Sequence, residues 1–406
     1  MYINRIVEKT IRKTSDTYRI LLVTGPRQVG KTTVLRQMSE PDRAYVSLDD
    51  PMVRALAVND PVLFFQRYQP PLLIDEIQYA PQLLPYLKIK ADTSEKNGQY
   101  WLTGSQVFHL MKNVSESLAG RVGIIQLQGL SHSEICFRTE ELAFIPEQSH
   151  LLAKAKVSTP LGLKDVFCLI FKGSLPAIYA NPEIDREMFF SSYIGTYLLR
   201  DVRDLTQVGD ELAFLRFISA VAARTAQEVN YTDLAKDTGI SAPTAKQWLS
   251  VLVTSGLIYL LQPYFNNALK RIIKAPKLYF LDTGLCAYLT RWTSPETLEA
   301  GAMSGAIFET WVISEIIKSY YNLGQKPPLY YYRDKEKREI DLIIEQDNKL
   351  YPIEIKKSGN PGKEAIKHFS VLEKTGRELG TGGVICLNEN LIPIAKDNWV
   401  IPVGLI

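Results

Sequence analysis

The chain has no apolar run long enough to cross a bilayer, and its first residues, Met1-Tyr-Ile-Asn-Arg-Ile6, lack the apolar core of a secretory signal. Both absences argue against membrane insertion and export. Cysteine is scarce as well. The four present (Cys136, Cys168, Cys286 and Cys386) lie far apart with no paired spacing. That excludes a disulfide framework or a zinc site and leaves a reducing, cytoplasmic setting as the expectation. An excess of one charge is missing too. With 47 Lys and Arg against 44 Asp and Glu, the formal charge is only +3, which permits nucleic-acid contact through a local patch without announcing it. What remains is ordinary globular composition, 46% hydrophobic and 22% charged. A chain of 406 residues is too long for one core and divides into roughly two to four domains.

The stretch Gly25-Pro26-Arg27-Gln28-Val29-Gly30-Lys31-Thr32 matches the phosphate-cradling pattern G-x-x-x-x-G-K-[ST] without departure. It sits between an apolar strand, Ile20 to Val23, and a helix opening at Lys31 and Thr32-Thr33. The glycines let successive backbone N–H groups turn onto phosphate oxygens, Lys31 adds a point charge at the β and γ phosphates, and Thr32 offers its hydroxyl to Mg²⁺. The helix N-terminus adds partial positive charge. Residues 25 to 33 are therefore the expected seat of a nucleoside triphosphate.

Short apolar strands recur downstream at Ala44–Leu48, Leu72–Ile74, Tyr100–Leu102 and Gly123–Leu127, with helical or loop stretches between them. This alternation predicts a parallel sheet with helices on both faces. The Leu72 strand ends in Asp75-Glu76. Asp75 is thereby delivered to the Mg²⁺ shell and Glu76 to the water that attacks the γ-phosphate, so hydrolysis of ATP is expected, beyond binding alone. Thr103-Gly104-Ser105 ends the next strand. If that strand is inserted between the phosphate-loop strand and the Asp75 strand, Ser105 is the first choice, and Thr103 the second, to face the γ-phosphate. Arg121, just before the following strand, could reach a γ-phosphate in its own subunit or a neighbour.

These residues resemble the AAA+ ATPases, and more closely a widespread prokaryotic group with the series GPRQVGKTT, LLIDEIQ, LTGS and LAGR. The resemblance extends along the chain through Gly173-Ser-Leu-Pro176, Leu199-Arg-Asp201, Tyr279–Gly284 and Phe308-Glu309, to which the family attaches no firm chemistry. It implies ATP and Mg²⁺ as ligand and cofactor, and a homo-oligomer as a possible assembly.

From Ser131 to Ala223 the pattern is mostly helical, broken at Pro146, Pro160, Pro176 and Pro182, and reads as a lid and connector. Val229 to Leu261 reads as a winged helix-turn-helix. Thr232 caps one helix, Gly239 makes the turn, and Ser241 caps a second helix that ends at Gly256. The second helix presents Ser241, Thr244, Lys246 and Gln247 outward, as groove reading requires. Asn266 to Lys277 adds four positive charges (Lys270, Arg271, Lys274 and Lys277) and no acid, which suits phosphate contacts with DNA. A lid or protein-adaptor role is the alternative.

Near the C-terminal end, Glu339–Glu345 and Leu350–Lys356 read as two strands joined by the turn Gln346–Lys349. Pairing Glu345 with Leu350 sets Asp341 opposite Glu354, with Cβ atoms about 5 Å apart. Lys356 shares their face. Two carboxylates and a lysine can hold Mg²⁺, generate hydroxide and stabilise a pentacovalent phosphate. Glu309, on a preceding helix, could join as a further metal ligand. This set resembles the restriction-endonuclease-like fold with its D…E-x-K site, although Ile340 stands where the pattern's name has proline. Ordinary cross-strand ion pairs are the alternative.

The expected organisation is an α/β phosphate-loop ATPase domain (1–135), a helical lid or connector (136–223), a winged helix (224–280) and a small restriction-endonuclease-like domain (281–406). The expected function is ATP hydrolysis that controls the winged helix and nuclease-like region on DNA. The alternative is a regulatory switch that binds DNA or a protein without cleavage.

Overall fold

A computed structural model of the chain describes residues 2–105, 114, 117–138, 142–198, 210–264 and 275–406. Leu199–Asp201 and Asn266–Lys274 from the sequence reading lie outside them.

Five strands form the first sheet: β1 (Ile20–Thr24), β2 (Ala44–Ser47), β3 (Leu72–Asp75), β4 (Tyr100–Gly104) and β5 (Val122–Gln126). All pair in parallel in the order β2-β3-β4-β1-β5, so β4 is the strand inserted between β1 and β3. β1 is a continuous apolar run and every residue in it is buried, as a central parallel strand requires. Its period-two alternation divides it between two cores. Ile20 and Leu22 join Leu72, Ile74, Tyr100 and Leu102 on one face, and Leu21 and Val23 join Leu73 and Trp101 on the other.

The first face is covered by helices Pro51–Asn59, Pro61–Arg67 and Leu83–Thr93 through Phe64, Phe65, Leu84 and Leu87. The first two begin cleanly, because Asp50 and Asp60 accept N–H bonds of the opening turn and a proline holds the first helical position. The other face joins a core running from Val7 on helix Val7–Thr17 to Ile406. The phosphate-loop sheet thus shares packing with the rest of the chain.

The middle of the chain is helical, as expected, from Gln148–Ala155 through Leu163–Lys172, Pro176–Ala180 and Arg186–Tyr193 to Glu211–Ala222. Then come β6 (Gln227–Glu228), helices Tyr231–Thr238 and Ala242–Thr254, β7 (Ile258–Pro263) and β8 (Lys277–Phe280), with antiparallel strand order β7-β8-β6. Gly239 closes the first helix in left-handed conformation, and Ser241 caps the second by accepting the Thr244 N–H. The first cap is Asn230, not Thr232: the Asn230 side chain accepts the N–H groups of Thr232 and Asp233. Ser241, Lys246 and Gln247 are exposed and Thr244 half-buried.

Strand pairing runs across the boundary expected at 280. β7 pairs in parallel with β9 (Leu329–Arg333), joining the three strands to β10 (Glu339–Gln346), β11 (Lys349–Lys356), β13 (Gly382–Cys386), β15 (Asn398–Pro402) and β14 (Ile392–Ala395) in one ten-stranded sheet, with β12 (Glu378–Leu379) paired to β11. Helix Thr283–Leu289, which follows β8, packs back on Leu163–Lys172 and Glu211–Ala222. The long helix Ser304–Tyr321 packs against β8 and β11.

Candidate active site

The phosphate loop leaves the carboxyl end of β1, where open parallel sheets place their ligands. Gly25 has φ +142°, and a Cβ there would lie 2.0 Å from the Leu127 carbonyl oxygen, so no larger residue fits. Gln28 (φ 62°) and Gly30 (φ 91°) complete the turn into helix Lys31–Met38. Lys31 is buried and its ammonium donates to the carbonyls of Gly25 (3.1 Å) and Pro26 (2.8 Å), bent across the mouth of the loop.

The acids converge on the same place. Ser47 pairs with Asp75, Ile74 with Leu102 and Val23 with Thr103, which brings the ends of β1, β3 and β4 together. Asp75 Oδ1 accepts the Thr32 hydroxyl at 2.7 Å and the Thr103 hydroxyl at 2.5 Å, and its Oδ2 accepts the Tyr45 hydroxyl at 3.1 Å. Burial first, and then the charge of Asp75, raise the Tyr45 phenol above its usual range. Glu76 is left-handed (φ 58°) and donates its N–H to Thr103 Oγ1 at 3.0 Å. The Glu76 carboxylate accepts from Ser105 Oγ at 3.1 Å and from the Gln78 amide. Lys31, Thr32, Asp75, Glu76, Thr103 and Ser105 therefore form one cluster. Thr103 holds both acids in place, while Ser105 touches Glu76 alone.

Arg121 is not part of it. Val122, its neighbour, pairs with Ile20 at the amino end of β1, the edge of the sheet opposite the phosphate loop and about 16 Å away for five strand residues. There Arg121 is held by Asp92, at 2.5 and 3.0 Å. Reach to the γ-phosphate of its own subunit is excluded by this position.

Sequence reading missed Arg5. Its buried guanidinium donates to the Val29 carbonyl (2.9 Å), the Gln128 carbonyl (2.8 Å) and Glu134 Oε1 (3.0 Å), so it ties the phosphate loop to the segment after β5. The Ser131–Glu134 capping box, visible in the sequence, fixes Glu134 for this contact. Behind the loop, the Gly173–Pro176 and Tyr279–Gly284 segments interlock. Asp282 Oδ2 accepts the backbone N–H and the hydroxyl of Ser174, each at 2.7 Å, and the Ser174 carbonyl accepts the Leu130 N–H at 2.7 Å. Gly256, at the end of helix Ala242–Thr254, lies so close to Pro26 that an added Cβ would be 3.0 Å from its ring. In front, a cleft of 550 Å³ opens between the loop residues Gln28, Gly30 and Thr33 and the residues Pro176, Ala177 and Phe189 of helices Pro176–Ala180 and Arg186–Tyr193.

The second cluster lies on β10 and β11. Glu345 pairs with Leu350, the register expected, and Asp341 and Glu354 are both buried. Lys356 Nζ stands between them, 3.2 Å from Asp341 Oδ2 and 2.6 Å from Glu354 Oε2. Burial and then the charge of Asp341 push the Glu354 carboxyl up to about 8 against the opposing pull of Lys356. Glu309 is turned elsewhere: its Oε1 accepts the Tyr279 hydroxyl at 2.6 Å and lies 3.5 Å from Lys277 Nζ. Burial, with Asp341 next, pushes it to about 7. Among the described residues, no three His, Cys, Asp or Glu side chains are gathered as a metal site, so Glu309 does not complete one with Asp341 and Glu354 in this arrangement. Lys277, expected in a basic segment suited to phosphate contacts, is buried on β8 and paired with Glu339 at 2.5 Å. Its place in the strand turns it inward. Burial lowers its affinity for a proton, but Glu309, Asp341 and Glu339 outweigh that and leave it raised.

A parallel sheet of this strand order, with a glycine-rich phosphate loop after β1 and an acidic pair at the end of β3, is a P-loop fold. Residues 17–136 match the family described as AAA domain. Residues 163–296 and 304–406 match two families described as Domain of unknown function (DUF8612) and Domain of unknown function (DUF4143). Uncharacterized proteins of Mycobacterium tuberculosis and Mycobacterium bovis are each 28% identical over 395 residues, covering 97% of this chain and 82% of theirs. Among solved structures, a Walker-type ATPase of Pyrococcus abyssi is 14% identical and covers 70% of this chain and 94% of its own, with a TM-score of 0.45. A STAND-type signal transduction ATPase of Pyrococcus horikoshii is 13% identical over 80% of this chain and 48% of its own, with a TM-score of 0.23. Among the described residues, no helix is long and apolar enough to cross a membrane.

Proposed function

We propose that the protein hydrolyses ATP and that nucleotide state controls its C-terminal half. The observation that carries this is the Thr32–Asp75 contact beside Glu76: the hydroxyl and carboxylate that a P-loop enzyme uses around Mg²⁺ are already 2.7 Å apart. These donors fit that ion, with Thr32 and Asp75 holding it. Bound there, Mg²⁺ would supply charge neutralisation to the phosphate groups. The chain's own residues do the rest. Backbone N–H groups from Arg27 to Thr33 cradle phosphate oxygens, and Lys31 swings from the Gly25 and Pro26 carbonyls onto them. Glu76, steadied by Ser105 and Gln78, orients the attacking water and takes its proton, while Thr103 keeps both acids in register. The nucleoside lies in the cleft under Pro176 and Phe189.

Rearrangement of the loop would be felt at Gly256 and the Ser174–Asp282 pair, which abut helix Ala242–Thr254 and β8. That helix, its partner Tyr231–Thr238 and the strand order β7-β8-β6 support a winged helix, with Lys246 and Gln247 free to meet DNA. Asp341, Glu354 and Lys356 support a nuclease-like C-terminal region. A switch that binds without cutting is the second reading. It is favoured by Lys356 filling the space between the two carboxylates and by Glu309 being held by Tyr279 and Lys277.

The test is phosphate release from Mg²⁺–ATP with and without DNA, using Lys31→Ala as control, alongside incubation with plasmid and single-stranded DNA plus Mg²⁺ or Mn²⁺. Turnover lost in Lys31→Ala supports the ATPase, and turnover in both refutes it. Cleavage lost in Asp341→Ala supports a nuclease. A salt-dependent gel shift without cleavage supports the switch, and neither effect points to a protein partner.

A further inference from the structure

We infer that the side-chain amide of Gln28 reads the base edge of the bound nucleotide and selects a 6-aminopurine. This rests on the ATP reading above and adds to it the residue that distinguishes the base. Gln28 is the fourth residue of the phosphate loop and its backbone is left-handed, φ 62°, where glycine sits without strain. Its side chain lines the 550 Å³ cleft, and its Oε1 is buried with no hydrogen-bond partner. A buried acceptor without a donor carries an unrecovered desolvation cost, which a ligand N–H or O–H would remove. Phosphate groups at neutral pH offer no such donor. The nucleoside does.

The cleft is of a size that takes a nucleoside. Its far walls are apolar, from Ile3, Leu130, Pro176, Ala177 and Phe189, and suit the faces of a purine. The amide presents an acceptor beside a donor. The 6-amino group and the adjacent ring nitrogen of adenine present the complement, as they do to glutamine elsewhere. Across that same N6/N7 edge guanine and hypoxanthine present two adjacent acceptors, O6 and N7, which leave the Gln28 acceptor without a donor. The other amide in the lining, Gln37, is exposed at the rim.

The test measures affinities of the full-length protein with Mg²⁺ for ATP, ITP (6-oxo in place of 6-amino), 2′-deoxy-ATP and inorganic tripolyphosphate, together with KM and kcat. Wild type should bind ATP about fivefold to tenfold more tightly than ITP, the usual size of one such hydrogen bond. In Gln28→Leu the ATP affinity should fall to that of ITP. KM should rise and kcat hold, with tripolyphosphate affinity unchanged because the cradle is intact. Equal binding of ATP and ITP by wild type, which needs no variant, would overturn the inference. So would a Gln28→Leu protein that keeps the preference for ATP over ITP, or one that loses only its preference for ATP over 2′-deoxy-ATP, since the acceptor would then read the ribose. If Lys31→Ala binds ATP as well as wild type does, the ATP reading itself fails instead.

Discussion

Removing Arg5 should loosen the phosphate loop from a distance of 24 residues in sequence. The guanidinium is almost fully enclosed and so is its partner, with side-chain exposures of 3% for Arg5 and 0% for Glu134. Arg5→Ala leaves the Glu134 charge buried with only the backbone N–H groups of Ile6 and Ser131 and leaves the Val29 and Gln128 carbonyls without this donor. Breaking a buried pair from one side costs about 3–5 kcal/mol. In a chain of this size that lowers the melting midpoint by roughly 3–6 °C. Weaker ATP binding should accompany it, because Val29 belongs to the loop. Arg5→Lys should recover only part, since one ammonium cannot span the Val29, Gln128 and Gly129 carbonyls and Glu134 together. Arg5→Ala combined with Glu134→Gln should lose less than the sum of the two. Thermal melts with and without ATP would measure all of this, beside Arg12→Ala on the exposed side of helix Val7–Thr17, which follows Arg5, as control. If Arg5→Ala melted like Arg12→Ala, the clamp would not exist.

Gly25→Ala should abolish ATP binding, because its methyl meets the Leu127 carbonyl at 2.0 Å in a conformation alanine avoids; unchanged affinity by calorimetry would contradict this. Asp282→Ala removes the acceptor for Ser174 and for the Leu285 N–H, and should cost about 2–4 kcal/mol in a denaturant melt, whereas a shift within about 0.5 kcal/mol would mean the pair carries no load. Glu354, raised to about 8 by burial and by Asp341, should take up a proton on folding. Its contribution is full below its unfolded value, about 4.3, and is lost as pH rises toward 8. Glu354→Gln cannot ionise, so its stability relative to wild type should climb across that window and level off above it. Parallel melting curves across the same range would contradict the assignment.

Local chemistry was legible in the chain; long-range geometry was not. The phosphate loop, the apolar strands and the β10–β11 register follow from glycine placement and period-two patterning over short spans. Asp75, Thr103 and Ser105 could be aligned because parallel strands end together. Arg121 stands apart from its own subunit's loop on the same ground: the residue before a parallel strand sits at the edge away from the phosphate loop. Arg5 and Glu134 are 129 residues apart, and Ser174 and Asp282 are 108 apart. No periodicity links such pairs. Lys277 read as part of a basic segment because composition cannot say which face of a strand is buried. Tyr279 and Lys277 meet Glu309 because helix Ser304–Tyr321 packs against β8, a pairing no local pattern announces.

The central claim, that Glu76 activates water for ATP hydrolysis, is tested most directly by phosphate release from saturating Mg²⁺–ATP in wild type and Glu76→Gln, with ATP affinity measured on both. The account predicts unchanged affinity and a turnover reduced about 100-fold or more, the contribution of a positioned general base. A Glu76→Gln protein that hydrolysed ATP at the wild-type rate would contradict it.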